Sequence, residues 1–495
     1  MSEKVAKKSH KREISLILAA VVLAVFYFLP DSSANGGLSH EAFWAVGIFF
    51  SSLIMWIGVS IDWPSLISMF LIGLLPTYGF SKMLQGSLGN STIAFLLFTF
   101  MLVYPLSQTN FVRRVTVAFI TNPIAKKGPW FFVSFLFAAL SLIGCFISPS
   151  VLFVAFMPFL EDIYKLLDIK KGGKTGNMLM MGTAFCISLS SGMTPIGHVW
   201  PTLAMGYYAS AFESSISAFQ YMAFGVPTGI ILVIALILVF KFIYRPDDIN
   251  DIDPNKAEAL KGTFPKADLR EKLIVGIMVL VVVLWISPSL VKNVLPEYYT
   301  LINGMTTAMP PLLGCILMFI ITIDGKPLLN FKEATTKGVL WGSVFMTAAA
   351  TIVGATLTNS DLGISAWLST VMEPIANHLS SGLLILFFVA WAVIETNFSS
   401  NIVTTTVVSS IMIAVLSALP EGTICIPAAV CLVGFAAGVC NMTPAGQSTV
   451  NTVAIGSGWT DSKSMFIWGG VFALLAILAL TFIGYNIGAV VMAAI

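Results

Sequence analysis

The residues best suited to chemistry in this chain are small, neutral and oxygen-bearing, and they gather around proline and glycine inside apolar sequence. Four stretches have this character. Two are short: Ile147-Ser148-Pro149-Ser150, and Thr396-Asn397-Phe398-Ser399-Ser400-Asn401. A third runs from Ser188 to His198 and holds Ser190, Ser191, Gly192, Thr194, Pro195 and Gly197. The fourth runs from Cys440 to Asn451 and holds Asn441, Thr443, Pro444, Gly446, Gln447, Ser448 and Thr449. Proline lacks an N–H and glycine loosens the backbone, so together they break a helix. Carbonyls freed at such a break can coordinate a hard cation, which prefers oxygen ligands. N–H groups opening the next half-helix can hold an anion. One such stretch alone reads more readily as a packed kink whose hydroxyls bond their own backbone. Four, in two pairs, point to a site for an anionic solute together with a cation.

The elements that carry them follow from composition. The chain has 495 residues, 57% hydrophobic and 10% charged, with a mean hydropathy of +0.91. A soluble domain carries about 25% charged residues, so lipid is the main solvent here. Apolar runs near the length of a span recur, among them 14–30, 42–60, 219–244 and 465–485. They predict an all-α membrane protein of about eleven transmembrane helices plus two re-entrant hairpins. The basic start (Lys4, Lys7, Lys8, Lys11, Arg12) reads as orienting an uncleaved first helix rather than as a signal peptide. The six cysteines show no CxxC spacing and read as core residues. There is no HExxH, no nucleotide loop and no pair of acids within the spans, so an enzyme is not expected. A net charge of +2 gives no reason to expect nucleic acid.

Self-similarity organises the chain. The segment 106–125 ends in Asn-Pro-Ile-Ala, and 357–376, 251 residues later, ends in Glu-Pro-Ile-Ala. Ser148 and Ser400 lie 252 apart, and Met193-Thr194-Pro195 recurs as Met442-Thr443-Pro444 after 249. Three matches in one order at a near-constant offset imply duplication. With a cytoplasmic N-terminus, the segments expected inside are 1–13, 109–128, 161–176, 241–272, 323–338 and 459–464. They hold 24 of the 26 Lys and Arg, leaving only Lys82 and Lys292 outside them. The segment 109–128 carries Arg113, Arg114, Lys126 and Lys127, whereas its partner 359–378 carries no Lys or Arg. Related sequences of opposite charge character belong on opposite sides of a membrane, the mark of an inverted-topology repeat. The expected division is 1–38, the N-terminus and first helix; 39–244, the first repeat with an inner hairpin near 129–165; 245–270, a cytoplasmic linker; and 271–495, the second repeat with an outer hairpin near 379–418.

These motifs resemble those of the divalent anion–sodium symporter family, which carries a Ser-Asn-Thr motif at each hairpin tip and a Gly/Thr/Pro-rich break in the helix after each hairpin. The second tip keeps Ser400-Asn401 but has Ile402 in place of Thr, followed by Thr404 and Thr405; the first reads Ser148-Pro149-Ser150. In the first break, the family's closing Thr-Pro-Pro-Asn is replaced by His198-Val199-Trp200-Pro201. The second keeps Asn451 and Gly456-Ser457-Gly458. The resemblance implies a homodimer in the plasma membrane, no cofactor beyond Na+ as coupling ion, and elevator-type alternating access for di- or tricarboxylates, by symport or exchange. It assigns Na+ to Ser148, Ser150 and Gly192 in one half, and to Ser400, Asn401 and Thr443 in the other. Substrate falls to Ser150, Thr194, His198, Asn401, Thr404 and Gln447. The departures, with His198 and Glu395 in or near the spans, keep open a proton-coupled or cation/proton-exchanging carrier of a different solute.

Overall fold

A computed structural model describes residues 10–494 except 213, 264, 292–293, 304–305, 377–379, 418, 421, 441 and 445–447. Among these residues the chain is almost wholly helical, with one two-residue antiparallel ribbon pairing Thr322 with Pro327. Helix starts follow ordinary capping. Ser39 accepts from the Ala42 N–H at 3.2 Å, Asn90 from Thr92 at 2.9 Å, and Ser217 with Gln220 closes a capping box. Large apolar side chains such as Ile14, Val21, Ile230, Leu474 and Phe482 are exposed, as a surface solvated by acyl chains requires.

Four described helices are long and apolar enough to cross a bilayer: His40–Gly58, Ala218–Tyr244, Trp341–Thr358 and Ser462–Ala494. The pair Gly79–Gly86 and Ser91–Ser107 makes a fifth if its 42° bend is counted as one span. Other apolar segments are shorter, and the reason is local. Pro129–Gly144 and Ser381–Thr396 each have 16 residues, about 24 Å at 1.5 Å per residue. That falls short of a hydrocarbon core about 30 Å thick, and each turns back at a tip. The helices Lys174–Ser190 and Ile426–Ala436 stop at Pro/Gly-containing breaks. The paired arms are Pro129–Gly144 with Pro149–Leu166, and Ser381–Thr396 with Asn401–Ser417; each pair is called a hairpin below.

A framework surrounds these four elements. Lys11–Tyr27 packs on His40–Gly58, Ser91–Ser107 and Leu269–Val291 on Met309–Ile320, and Trp341–Thr358 on Trp63–Gly73. Trp341–Thr358 also meets Val199–Phe212 and Asn401–Ser417, so it joins the framework to the centre. The centre is the most buried part: every residue from Met178 to Gly197 lies inside. All six cysteines are free, and five are buried.

The basic segments assemble on one face. Arg114 makes a two-pronged ion pair with Glu271, 2.7 and 2.8 Å. Lys126 reaches Glu258, Lys256 reaches Asp168, and Lys174 lies 3.1 Å from Asp247. Arg270 donates to the carbonyls of Pro327 and Leu328 at 2.8 Å, and Lys171 to Ser457 at 2.8 Å. Arg12 stands 5.5 Å over the Trp63 ring, whose neighbour Asp62 lies against Gly342. At the far end of His40–Gly58, about 28 Å away by helix rise, Glu41 accepts from the Thr77 N–H at 2.7 Å. The hydroxyl of Tyr78, next to Thr77, accepts from Asn359 at 3.4 Å. The uncharged segment thus begins on the face opposite its basic partner. In the linker, the Lys126 ammonium, helped by Lys261, holds the Glu258 carboxyl below the usual range. A depressed carboxylate contributes above its unfolded pKa and is lost as pH falls through its folded one. Hydrogen-exchange protection factors of residues 245–262, corrected for intrinsic rates, should hold at neutral pH and fall as the pH drops through the carboxylate range. Glu271→Gln, which removes the buried partner of Arg114, should lower unfolding stability by about 2 kcal/mol in a detergent melt.

Candidate functional site

The two hairpins and two broken helices interlock. Each hairpin's entering arm packs on the first half of the broken helix that follows it: Pro129–Gly144 on Lys174–Ser190, and Ser381–Thr396 on Ile426–Ala436. Each returning arm also reaches the second half of the other broken helix. Pro149–Leu166 meets Thr449–Gly456, and Asn401–Ser417 meets Val199–Phe212. Neither half of the molecule completes the centre alone.

The tips are built alike. Ser148 and Ser400 open their returning arms, and their carbonyls accept the N–H of Leu152 and Thr404, both at 2.9 Å. Pro149 takes the first helical position, where a missing N–H costs nothing. This is how the first tip accommodates proline where the resembled motif has Asn.

Each tip is latched to its break by a threonine. The Thr194 hydroxyl donates to the Cys145 carbonyl and accepts the N–H of Ile196 and Gly197 at 3.3 and 3.2 Å. The Thr443 hydroxyl donates to the Asn397 carbonyl at 2.9 Å. Cys145 and Asn397 are 252 residues apart, Thr194 and Thr443 249, so one bond occurs in both halves. A second feature repeats. A β-carbon built on Gly225 would sit 2.5 Å from the Met193 carbonyl oxygen, and one on Gly469 1.5 Å from that of Met442. The helix after each break can approach the break's Met-Thr-Pro run only because glycine faces it. The two breaks also touch: a β-carbon on Gly438 would lie 3.0 Å from the Gly192 backbone.

Asn397 does most to fix the second break. Its side chain donates to the carbonyls of Val393 at 2.9 Å and Val439 at 2.8 Å, and accepts the N–H of Met442 at 2.9 Å and Thr443 at 3.2 Å. It is 3% exposed, so these four bonds satisfy backbone that water cannot reach.

The expected site residues fall as follows. Ser148 and Ser150 are half-buried at the first tip, and neither hydroxyl bonds to a described residue. Gly192 packs against Phe435 of the other break, and its carbonyl accepts the Tyr221 hydroxyl at 3.0 Å. Gly197 is the glycine beneath the first hairpin, 2.8 Å by its notional β-carbon from the Gly144 carbonyl. Thr194 and Thr443 are the latches. Ser400 and Asn401 stand at the second tip, where Asn401 accepts from the Thr396 hydroxyl at 3.1 Å and lies beside Cys440. Thr404 is fully buried. His198 stacks on Trp200 with ring centroids 3.6 Å apart. Gln447 lies outside the described residues. From sequence Asn397 carries no mark of its own, and Trp200 reads as a packing or interface anchor rather than a ligand. Asn397 falls within the second tip, but neither the Ser-Asn pair nor the repeat marks it. Trp200 stands where the resembled motif has proline, and that departure is the signal.

Several polar atoms here are buried without a partner among the described residues: His198 Nδ1, Trp200 Nε1, Ser399 Oγ, Thr404 Oγ1, Ser409 Oγ and Asn451 Oδ1. Each such group costs about 1–3 kcal/mol unless something bonds it. No group of three or more His, Cys, Asp or Glu side chains is placed among the described residues to hold a metal. A cation at this centre would be held by carbonyl, hydroxyl and amide oxygens, a donor set for a hard ion of low charge.

A multi-helix membrane protein with paired hairpins and broken helices at its centre is a membrane transporter in class. The sodium:sulfate symporter transmembrane region matches residues 10–494, and the chain belongs to that family, the divalent anion–sodium symporters. It is therefore a transporter and not an enzyme. It is 22% identical to the sodium-dependent dicarboxylate transporter SdcS of Staphylococcus saprophyticus, over 95% of this chain and 90% of that one. It is 22% identical to SdcS of Staphylococcus aureus over 82% and 78%. An uncharacterized transporter of Methanocaldococcus jannaschii is 23% identical over 63% and 64%. Among solved structures, the YdaH transporter of Alcanivorax borkumensis shares the fold, with a TM-score of 0.56 and 12% identity over 92% of this chain and 99% of that one.

Asn397→Ala would take its side-chain partner from two N–H groups and two carbonyls at membrane depth. It should lower stability by about 2–4 kcal/mol in a denaturant or thermal series, whereas the neighbouring exposed Phe398→Ala should change it by less than about 1 kcal/mol.

Proposed function

We propose that this chain is a Na+-coupled carrier of a small di- or tricarboxylate, working as a symporter or exchanger, with one substrate site between the two hairpin tips. The observation that carries the reading is the repeated latch, Thr194 on Cys145 and Thr443 on Asn397. Two equivalent tip-to-break junctions supply two clusters of oxygens around one centre. The membership of the family and the name of the SdcS relatives support a sodium-coupled anion.

Two inverted repeats, 39–244 and 271–495, linked through 245–270, are the organisation that best fits these features. The latches, the Met–Gly contacts and the opposite placement of 109–128 and Asn359 all support it. With the basic face taken as cytoplasmic, the N-terminus lies inside, the first hairpin enters from within and the second from outside. About eleven spans and the two hairpins then account for the chain. Movement of the hairpins and broken helices as one body against the framework, in a homodimer, is the elevator reading.

In this proposal Ser400, Asn401 and the backbone near Thr443 hold one Na+, and Ser148, Ser150 and the backbone of the first break hold another. Ser150, His198, Asn401 and Thr404 face the anion, and Thr194 braces the first tip behind them through its latch. The centre has no Arg or Lys, so the anion's charge is met by Na+, N–H dipoles at half-helix starts and hydroxyl donors. A second reading, a proton-coupled carrier or a cation/proton exchanger, rests on two groups: among the described residues His198 Nδ1 is buried without a partner and Glu395 has no ion-pair partner.

Purified protein in liposomes should take up a labelled C4 dicarboxylate when a Na+ gradient is imposed. Uptake that ignores Na+ but collapses with the pH gradient would replace the first reading by the second. Asn401→Ala should abolish the Na+ dependence, while Pro149→Asn should be tolerated or add a further Na+-dependent step. An unchanged Na+ response in Asn401→Ala would remove the second tip from the cation site.

A further inference from the structure

Away from the site, a groove of about 620 Å³ runs along the molecule's apolar side. One wall is the entering arm of the first hairpin, with Trp130, Ser134, Ala138 and Leu142 at helical spacing. The other is Ala218–Val239, with Val226, Ile230, Ile234 and Leu238 on one stripe. The closed end is formed by Cys145 and Met193, whose sulfurs lie 3.7 Å apart. The open end carries Phe119, Trp130 and Lys241. Fifteen residues of helix separate Trp130 from Cys145, about 22 Å. The groove thus runs from the basic face to the depth of the first tip.

We propose that this groove is a binding site for one acyl chain of an anionic phospholipid, with the headgroup phosphate at Lys241. Four observations argue for that occupant. The walls are apolar and their outer residues, Phe131, Leu142, Ile230 and Leu238, are exposed on the lipid side. Lys241 makes no ion pair among the described residues. It sits in a π-helical turn, Phe240–Tyr244, that ends the helix at the groove's mouth. Trp130 and Phe119 stand at the level of the headgroups, where aromatic rings are favoured. A lysine at that depth extends its ammonium to the headgroups while its stem lies on apolar surface.

The closed end connects the groove to transport. Cys145 presents its carbonyl to the Thr194 hydroxyl, so a chain filling the groove presses on the junction of the first tip and its break. Anionic lipid then favours the latched conformation. The binding test reads lipid and not flux, so it stands or falls separately from the choice of substrate.

The test uses full-length protein, stripped of lipid in neutral detergent and titrated with phosphatidylglycerol or phosphatidylcholine. Ala138 is exposed in the groove, so Ala138→Trp fills it without crowding the core. Wild type should retain phosphatidylglycerol in native mass spectra and gain thermal stability over phosphatidylcholine. Lys241→Gln should erase the preference between the two lipids, and Ala138→Trp should lose at least one bound lipid of either kind. A fluorophore on Ala138→Cys should be quenched by acyl-brominated phosphatidylglycerol at a lower mole fraction than one on Leu478→Cys, an ordinary exposed position. Equal quenching at the two positions, or unchanged lipid retention in Ala138→Trp, overturns the site. So does a disulfide between two copies of Ala138→Cys, which would make the groove an interface between copies.

Discussion

A backbone that stops being helical inside a membrane must find its hydrogen bonds within the protein, because lipid offers none. The whole centre of this chain answers to that constraint. Both broken helices turn at Met-Thr-Pro, and the threonine of each reaches the carbonyl of the facing hairpin tip. In the second half Asn397 adds four more bonds to the same repair. Several polar side-chain atoms on the second hairpin and beside the breaks, Thr404 Oγ1 and Trp200 Nε1 among them, have no partner among the described residues. A centre that satisfies its own backbone while leaving a few side-chain groups free is suited to bind a polar solute and release it.

The exchange of returning arms gives the site its shape. Asn401–Ser417 lies on the second half of the first broken helix, and Pro149–Leu166 on that of the second. A displacement of either hairpin is therefore felt in both breaks, and the tips cannot respond independently. The contacts at Gly225 and Gly469 extend this coupling to the helices behind the breaks. The two tips differ, however. The second carries Asn401 beside the Asn397 network, while the first has Pro149 and two hydroxyls without a partner among the described residues.

Much of this was legible in the sequence. Hydropathy gave the membrane class, and Met-Thr-Pro survives in both halves, so the breaks and their spacing stand out. The positions of Lys and Arg marked the face on which Arg114, Lys126, Lys174 and Arg270 now meet the linker and the ribbon. What stayed hidden depends on distant partners. Asn397 looks like any other amide until its four backbone partners are brought to it from two elements. Gly225 and Gly469 are two of 39 glycines, and only the approach of Met193 and Met442 singles them out. Gly192 lies where the two breaks cross and Gly197 beneath the first hairpin, placements that only the folded chain reveals. The arm exchange links segments about 200 and about 300 residues apart and leaves no local trace.

The central claim is that both hairpins and both breaks form one site that binds an anion together with Na+. A structure determined with Na+ and a saturating dicarboxylate tests it most directly. The account predicts the anion between the tips, within hydrogen-bond distance of Ser150 on one side and of Asn401 or Thr404 on the other, with Na+ among the oxygens near Thr443. An anion held by one hairpin alone, or found away from both breaks, would contradict it.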